Sequence, residues 1–206
     1  MNYVIPITMP RAEGDPLVAV LAAGLASRFG GGKLDAECAG KPLGRWALDA
    51  VAVAGFPPGV IIVGPRPPAF TCAAEGWTCL TNPAPEQGLG HSVAIACQQA
   101  QAQSRGVLLV LADMPLVTPD HLRDLCSGPS SAATVYPDKR AGVPAYIAPG
   151  DIGIFTSLGE DSGAAKLFSG LDTLALYDPA PSTLLDVDDA RSLDEARQAI
   201  VAGGRA

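Results

Sequence analysis

The chain has 206 residues, enough to bury a full hydrophobic core, and 48% of them are hydrophobic against 17% charged. This balance excludes an intrinsically disordered protein, because ample apolar surface offsets the entropy lost on folding. Fourteen lysines and arginines against 21 aspartates and glutamates give a net charge of −7. This charge argues against a nucleic-acid partner, because binding to a phosphate backbone needs a basic surface.

The N-terminal segment contains prolines and acidic groups and lacks the basic and apolar regions of a signal peptide. We therefore expect a disordered leader at residues 1–15 and a single domain at residues 16–203 of a cytoplasmic protein. No apolar run reaches the roughly 18 residues that a membrane-spanning helix needs, so we expect no membrane partner. The five cysteines are an odd number without a CxxC pair, which favours buried free thiols over a disulfide framework.

Strand-like apolar runs alternate with helical segments along the chain, which is the pattern of an α/β fold with a mostly parallel sheet. In the first half the predicted strands are Leu17–Ala22, Val60–Val63 and Trp77–Leu80, and the predicted helices are Pro42–Ala54 and Ser92–Gln103. The glycine-rich segment Ala23–Gly32 is a loop. The segment Pro65–Pro68 is a surface connection, because its prolines cannot continue a helix or a central strand.

In the second half the predicted strands are Val107–Leu111, Thr134–Tyr136, Val143–Ile147 and Leu174–Tyr177, and a short helix is expected near Ala164–Phe168. Thr118 followed by Pro119 predicts the start of another helix, which extends to Leu125. Ser192 followed three residues later by Glu195 predicts a capping box at the last helix, which ends at Gly203.

The segment from Leu21 to Lys33, LAAGLASRFGGGK, carries an apolar strand directly into a glycine-rich loop. Glycine amides can approach an anion closely, and Arg28 and Lys33 can add charge-assisted contacts, so the pattern predicts a phosphate-binding loop. The glycine spacing matches neither the Walker motif nor the GxGxxG dinucleotide fingerprint. On spacing alone, a glycine-rich surface loop without a ligand is the alternative.

Acidic residues follow two predicted strands. Asp113 comes just after Val107–Leu111, at the edge where open α/β sheets place their ligands. In Asp186-Val187-Asp188, the alternation of a short strand directs both aspartates to one face. A helix lead-in beside a solvated Asp189 is the alternative for this acidic run.

The histidines, cysteines and tryptophans are expected to have structural rather than catalytic roles. His91 is expected to face solvent, and His121 lies at an exposed helix start without an acidic or nucleophilic partner. Since the sequence has two isolated histidines and no GxSxG motif, a hydrolase mechanism has no positive support. The cysteines, Trp46 and Trp77 are expected to be packing residues.

Leu21–Leu34, LAAGLASRFGGGKL, resembles the LAAGxSxRxGxxK signature of the molybdenum cofactor nucleotidyltransferases, especially the cytidylyltransferases. Further matching segments follow in the family's order and cover nearly the whole chain: GKPLGRWALDAV from Gly40, an Asn82 loop with GLGHSV, LADMPLVT from Leu111, GVPAYI from Gly142 and DVDDARSLDEA from Asp186. The resemblance implies a three-layer α/β/α Rossmann-like (GT-A-like) nucleotidyltransferase fold with a mostly parallel mixed sheet.

The resemblance also implies roles for individual residues. Arg28, Lys33 and Asp113 are the implied catalytic residues, and Asp113 and Asp188 the implied ligands of Mg²⁺. The implied nucleotide-binding residues are Leu21, Ala22, Ala23, Gly24, Arg28, Lys33, Asn82, Gly88 and Ser92. An amide such as that of Asn82 can read a base or ribose edge, although a plain turn residue is equally consistent with the sequence. The implied acceptor-binding residues are Gly142, Pro144 and Lys166.

The implied reaction is Mg²⁺-dependent transfer of CMP from CTP to the phosphate of molybdopterin or molybdenum cofactor, a phosphorylated pterin, with release of pyrophosphate. A molybdoenzyme or its chaperone is an implied partner. The alternatives are a guanylyltransferase or sugar-phosphate nucleotidyltransferase of the same fold, and a non-catalytic cofactor-binding or redox protein. Two positions depart from the family pattern: Ala112 stands where glycine is common, and Glu160 is inserted within GEDSGAAK, where the basic residue moves to Lys166.

Overall fold

The computed structural model describes residues 14–24, 29–156, 168 and 170–204. Two predicted site residues, Arg28 and Lys166, lie outside the described residues. So does the helix predicted near Ala164–Phe168, apart from Phe168 itself.

Nine strands and five α-helices are present in the described part of the chain. The strands are β1 (Leu17–Ala22), β2 (Glu37–Cys38), β3 (Lys41–Pro42), β4 (Val60–Val63), β5 (Thr78–Thr81), β6 (Val107–Leu111), β7 (Ala132–Val135), β8 (Ala141–Ile147) and β9 (Ala175–Tyr177). The helices are α1 (Arg45–Val53), α2 (Leu89–Ala102), α3 (Pro119–Leu125), α4 (Ile152–Phe155) and α5 (Ala190–Ala202). Short 3-10 turns lie at Lys33–Asp35, Ala69–Ala73, Pro85–Gln87 and Pro181–Thr183.

Seven strands form one mixed sheet in the order β5-β4-β1-β6-β8-β7-β9. Only β8 runs against its neighbours, and every other pair in the sheet is parallel. β2 and β3 form a separate antiparallel pair. The mostly parallel mixed sheet with its helices confirms the predicted fold class.

The strand order reverses beside β1. The chain passes from β1 to β4 and β5 on one side and returns to β6 on the other. Open α/β sheets bind ligands at the carboxyl ends of the strands at such a reversal. Here the Ala112 N–H donates to the carbonyl oxygen of Leu21 at 3.1 Å, which fastens the end of β6 to the end of β1.

Both faces of the sheet are covered, which explains the unbroken apolar runs of β1 and β6. Successive side chains of a strand point to opposite faces. Leu17, Ala19 and Leu21 accordingly pack in the core formed with α2 and α4, whereas Val18 and Val20 pack in the core formed with α1, α3 and α5. The result is a three-layer arrangement. Within the described ranges, no helix is long and apolar enough to cross a membrane.

The predicted elements agree closely in the central sheet, where Leu17–Ala22, Val60–Val63 and Val107–Leu111 are strands as predicted. The predicted helix start at Pro42 is wrong, because Pro42 pairs with Glu37 in the small antiparallel ribbon.

The start of the last helix also differs from the prediction. Asp189, predicted to be solvated, is the N-cap of α5, and its carboxylate accepts from the Ser192 N–H at 2.8 Å. Ser192 is at position N3 of this capping box, three residues after the N-cap. Its Oγ accepts from the Asp189 N–H at 3.0 Å. The predicted pairing of Ser192 with Glu195 is wrong, because an equally good cap lies three residues earlier. The end at Gly203 is confirmed.

Several burial predictions require correction. His121 is buried rather than exposed, because β7 covers it and Thr134 Oγ1 lies 2.7 Å from its Nε2. All five cysteines are free as predicted, but Cys72 and Cys79 are exposed rather than buried. Trp46 is buried, and its Nε1–H donates to the carbonyl oxygen of Cys38 at 2.8 Å.

Candidate active site

A cleft of about 670 Å³ opens at the carboxyl ends of β1 and β4. Its lining consists of Ala22, Ala23, Gly24, Gly30, Gly31, Gly32, Lys33, Leu34, Asp35, Gly64, Pro65, Arg66, Pro67, Pro68, Pro83, Pro85 and Glu86. The predicted nucleotide-binding residues Ala22, Ala23 and Gly24 lie in this lining. Leu21 does not, because its side chain packs in the core on the α2 face of the sheet.

The glycine-rich loop forms one wall of the cleft. Gly30, Gly31 and Gly32 have φ values of +79°, +100° and +66°, the left-handed region that side-chain-bearing residues avoid. No atom outside the neighbouring residues lies within 4 Å of where their Cβ atoms would be, so conformation rather than crowding requires glycine here. The backbone amides of such a segment are open to an anion.

Lys33 is buried at the end of this loop, and its ammonium group bridges two carboxylates. Nζ lies 2.7 Å from Oδ2 of Asp113 and 3.5 Å from Oδ1 of Asp188. Burial alone would lower the pKa of Lys33, but the charge and hydrogen bond of Asp113, together with Asp186 and Asp188, outweigh burial and raise this pKa. In this structure Lys33 is thus an ion-pair partner of the aspartates, which the sequence analysis did not foresee, and its phosphate contact stays a prediction.

Asp186 belongs to the same cluster, although the sequence prediction chose only Asp188. Desolvation, and then the charge and hydrogen bond of Asp113, raise the pKa of Asp186 to about 7, while Lys33 opposes the shift. The segment around it is not a strand as predicted, but the Val187 N–H bonds to the Asp113 carbonyl oxygen at 3.0 Å. The DVD alternation was the sequence signal that places Asp186 beside Asp188.

The donor chemistry of this cluster fits a divalent cation. Carboxylate oxygens are the ligands that Mg²⁺ and Mn²⁺ prefer, and the ammonium of Lys33 already shows that one cation reaches both Asp113 and Asp188. Among the described residues, no three or more histidine, cysteine or acidic side chains form a ready-made metal cage. A metal held by Asp113 and Asp188 would take further ligands from water or phosphate oxygens, as Mg²⁺ usually does.

Asn82 is fully buried, and its side chain is engaged inside the protein. Its Nδ2 donates to Ser92 Oγ at 2.9 Å, and its Oδ1 accepts from the Ala84 N–H at 2.9 Å and from His91 Nδ1 at 2.7 Å. The sequence analysis did not foresee these internal contacts, and the base or ribose contact of Asn82 stays a prediction. His91 is half-buried and hydrogen-bonded rather than solvent-facing.

Asn82 shapes the cleft indirectly, because it anchors the loop whose members Pro83, Pro85 and Glu86 line the cleft. Gly88 follows this loop with φ at +84° and precedes α2. Neither Gly88 nor Ser92 lies in the cleft lining, and Ser92 is buried beneath it with Asn82.

The predicted acceptor-side residues Gly142 and Pro144 reach the same edge of the sheet because β8 runs antiparallel to β6. Tyr136, which the sequence analysis missed, packs over Gly142, where an added Cβ would meet its ring at 2.8 Å. The Tyr136 hydroxyl donates to the Val143 carbonyl oxygen at 2.5 Å and lies 3.5 Å from Met114 Sδ. Tyr136 therefore ties the acceptor-side strand to the turn that carries Asp113.

The fold and the site together define the class of protein. The mostly parallel sheet reverses its strand order at a glycine-rich loop suited to phosphates, beside a carboxylate cluster suited to a cation. This combination is that of a protein that binds phosphorylated ligands together with a divalent cation. Residues 18–175 match the family described as the MobA-like NTP transferase domain. The chain belongs to this family.

Curated relatives share part of the sequence. The bifunctional protein GlmU of Pelobacter propionicus is 34% identical over 111 residues, which cover 52% of this chain and 24% of GlmU. GlmU of Bordetella petrii is 34% identical over 126 residues, covering 57% of this chain and 27% of GlmU. The chain thus spans about a quarter of the length of these relatives.

Solved structures share the fold. Rv0371c from Mycobacterium tuberculosis H37Rv superimposes with a TM-score of 0.73 at 23% identity, covering 89% of this chain and 99% of Rv0371c. The nucleotidyl transferase Mth528 from Methanothermobacter thermautotroptrophicus gives a TM-score of 0.72 at 17% identity, covering 92% and 100%. Rv0371c has also been solved in complex with manganese.

Proposed function

We propose that the protein transfers CMP from CTP to the phosphate of a molybdopterin-type pterin, with Mg²⁺ and with release of pyrophosphate. The observation that carries this proposal is the meeting of Lys33, Asp113 and Asp188 at the end of the glycine-lined cleft. Asp113 and Asp188, with Asp186 beside them, would hold the metal. A bound Mg²⁺ supplies charge that stabilises the phosphate oxygens during transfer.

In this reaction the protein would mainly neutralise charge and position the two substrates. An acceptor phosphate is already an anionic nucleophile, so no general base is needed. One of its oxygens forms a bond to the α-phosphorus of CTP as the bond between that phosphorus and the bridging oxygen breaks, and pyrophosphate leaves with the electron pair. The glycine-loop amides and Lys33, with Arg28 by family resemblance, would neutralise the triphosphate and orient it for in-line displacement.

The nucleotide and acceptor assignments draw on separate observations. The LAAG sequence at Leu21–Gly24 supports CTP, because the guanylyltransferases of the resembled family more often carry LAGG there. Gly142 and Pro144 support an acceptor site on the β8 side of the cluster, with Lys166 by resemblance. Guanylyl or sugar-phosphate nucleotidyl transfer is the second candidate, and the similarity to the GlmU proteins favours keeping it.

Pyrophosphate release tests the proposal. The protein is incubated with Mg²⁺ and each of CTP, GTP, ATP and UTP, with and without molybdopterin or molybdenum cofactor, and with a sugar 1-phosphate in a parallel series. Release that requires both CTP and the pterin is the expected result. A requirement for GTP or for the sugar phosphate would select the second candidate. No release from folded protein with any pair would favour the non-catalytic cofactor-binding or redox alternative.

Three further predictions accompany this proposal. We propose a single domain over residues 16–203, a cytoplasmic location, and a molybdoenzyme or its chaperone as the recipient of the product. Limited proteolysis checks the first of these, because a stable fragment should begin near residue 16.

A further inference from the structure

The cleft is lined by the glycine-rich loop, by the loop of Pro83, Pro85 and Glu86, and by a third wall, the segment Gly64–Pro68 that follows β4. The sequence motifs and the family resemblance assign no role to this wall. It carries one charged residue, Arg66, which is exposed and lines the cleft.

The wall is held in place from the phosphate-loop side. The Asp35 carboxylate accepts from the Ala69 N–H at 2.8 Å and from the Phe70 N–H at 2.7 Å. Asp35 ends the turn that carries Lys33, so this one side chain joins the glycine-loop wall to the wall of Arg66. Prolines on both sides of Arg66 fix their own φ angles and further restrict the segment.

Arg66 is the cation that this cleft leaves open to a ligand. Within the part of the chain that the structure describes, the cleft is lined by two basic residues, Lys33 and Arg66. Lys33 is already engaged with Asp113 and Asp188. No hydrogen bond or ion pair engages Arg66 among the described residues.

The sheet topology indicates which part of a nucleotide Arg66 faces. Asp113 follows β6, whereas Arg66 follows β4, and β1 lies between these two strands. Adjacent strands are about 4.8 Å apart, so the two strand ends are separated by roughly 10 Å. With the α-phosphate beside Asp113, the base can span that distance more readily than the γ-phosphate, because the base lies farther from the α-phosphate. We therefore take Arg66 to face the nucleoside end of the ligand.

A guanidinium group only donates hydrogen bonds, through a fork that fits two neighbouring acceptors. Cytosine presents such a pair in its O2 and N3 atoms. We infer that Arg66 contacts the base of the bound nucleotide and that Asp35 is a positioning residue that holds the wall of Arg66 against the cleft. This inference rests on the proposed function, since it takes the ligand to be a nucleoside triphosphate.

The test is a calorimetric titration of the full-length protein with CTP, UTP and inorganic tripolyphosphate, each with Mg²⁺. The variants are R66Q, D35N, the double variant, and R191Q as a matched control for an exposed arginine on α5. We expect R66Q to weaken CTP binding about tenfold, the size expected for a lost charge-assisted hydrogen bond. UTP, whose N3 carries a hydrogen, should lose less, and tripolyphosphate binding should stay within twofold, as should all binding by R191Q.

D35N provides the readout specific to positioning. If Asp35 acts through Arg66, D35N weakens CTP binding in the wild-type background but adds little to R66Q, so the two effects are not additive. Additive effects would overturn the positioning role of Asp35. Should D35N fail to fold, R66Q still tests the base contact, because Arg66 is exposed.

The outcomes separate this inference from the proposed function. CTP binding by R66Q as tight as that of the wild type would overturn the inference alone. Equal losses for CTP and tripolyphosphate would also overturn it, because Arg66 would then contact the phosphates. A wild-type protein that binds no nucleotide would overturn the proposed function and the inference with it.

Discussion

The backbone N–H of Val187 donates a hydrogen bond to the carbonyl oxygen of Asp113 at 3.0 Å. Val187 is fully buried, and the aspartates on either side of it are close enough to Lys33 to raise its pKa. One backbone contact between two distant segments therefore brings the carboxylates of the site together.

The two aspartates beside Val187 should both contribute to metal binding. We expect D186N and D188N each to weaken Mn²⁺ binding and to lower kcat/KM at least tenfold, because each removes an anionic oxygen ligand. Titration with Mn²⁺ followed by electron paramagnetic resonance measures the affinity. D189N is the matched control, since asparagine still caps α5, and its affinity should be unchanged. Unchanged affinity in D186N would exclude Asp186 from the metal site.

Lys33 should matter for both stability and catalysis. We expect K33M to lower kcat/KM at least 100-fold, because it removes a preorganised positive charge from the triphosphate site. The same change leaves the clustered aspartates without their internal cation, so the melting temperature of the metal-free protein should fall. Calorimetry in EDTA checks this, and added Mg²⁺ should restore much of the loss. A melting temperature unaffected by K33M would contradict the ion-pair role.

Asn82 should act through loop geometry rather than through chemistry. We expect N82A to destabilise the protein by about 2–3 kcal/mol, because it leaves buried Ser92 and half-buried Ala84 and His91 without these hydrogen bonds. The KM for the nucleotide should rise, with kcat changed little. Urea unfolding and steady-state kinetics measure the two effects. S92A removes only one of these hydrogen bonds and should cost less. A large fall in kcat without loss of stability would instead indicate direct contact with the substrate.

Buried His121 should make stability depend on pH. Burial lowers the pKa of His121 below the usual 6.5, an effect that Asp124 opposes in part. The unfolded chain therefore takes up a proton before the folded protein does, and stability should decline as the pH falls below about 6.5. Urea unfolding at pH 7.5, 6.5 and 5.5 measures the decline.

The control variant H121Q keeps a hydrogen-bond donor at this position but cannot titrate. Thr134 uses its hydroxyl proton on the Pro144 carbonyl oxygen, so the His121 Nε2–H must donate to Thr134 Oγ1. Glutamine supplies an amide donor at a similar reach and does not titrate. H121Q should therefore show a flatter pH dependence over the same range, and an unchanged slope would assign the effect to other groups.

Gly59 and Gly153 should respond oppositely to substitution by alanine. A Cβ at Gly59 would lie 2.1 Å from the backbone oxygen of Val18, so we expect G59A to cost about 3 kcal/mol or more through backbone displacement. Gly153 lies within α4 with no neighbour within 4 Å of the added atom, so G153A should stabilise by roughly 0.5–1 kcal/mol. Urea unfolding of both variants makes the comparison, and equal effects would contradict it.

The central strands were predictable because burial on both faces leaves an unmistakable local pattern, as in Val107–Leu111. The ends of helices and strands that depend on contacts with residues distant in sequence were harder to predict. Nothing near Pro42 in sequence shows that it pairs across a ribbon. The cap of α5 was ambiguous because Asp189 and Ser192 are both good capping residues.

The sequence indicated which carboxylates and glycines lie at the site, but not the hydrogen bonds and ion pairs that their neighbours form. Asp113 and Asp188 meet at Lys33 as separate motifs suggested. The ion pairs of Lys33 with both aspartates were not predicted, and its phosphate contact stays a prediction. The internal bonding of Asn82 and the burial of His121 depend on tertiary neighbours that no local pattern reveals.

The reversed direction of β8 separates the surroundings of the two proposed substrates. The nucleotide cleft is built from segments that follow the carboxyl ends of β1, β4 and β5, whereas Gly142 enters the same edge from the amino end of β8. If the acceptor binds beside Gly142 as proposed, changes in the hairpin between β7 and β8 should alter the choice of acceptor while leaving the cleft at β1 and β4 intact. The hairpin is then the place to begin engineering a new acceptor.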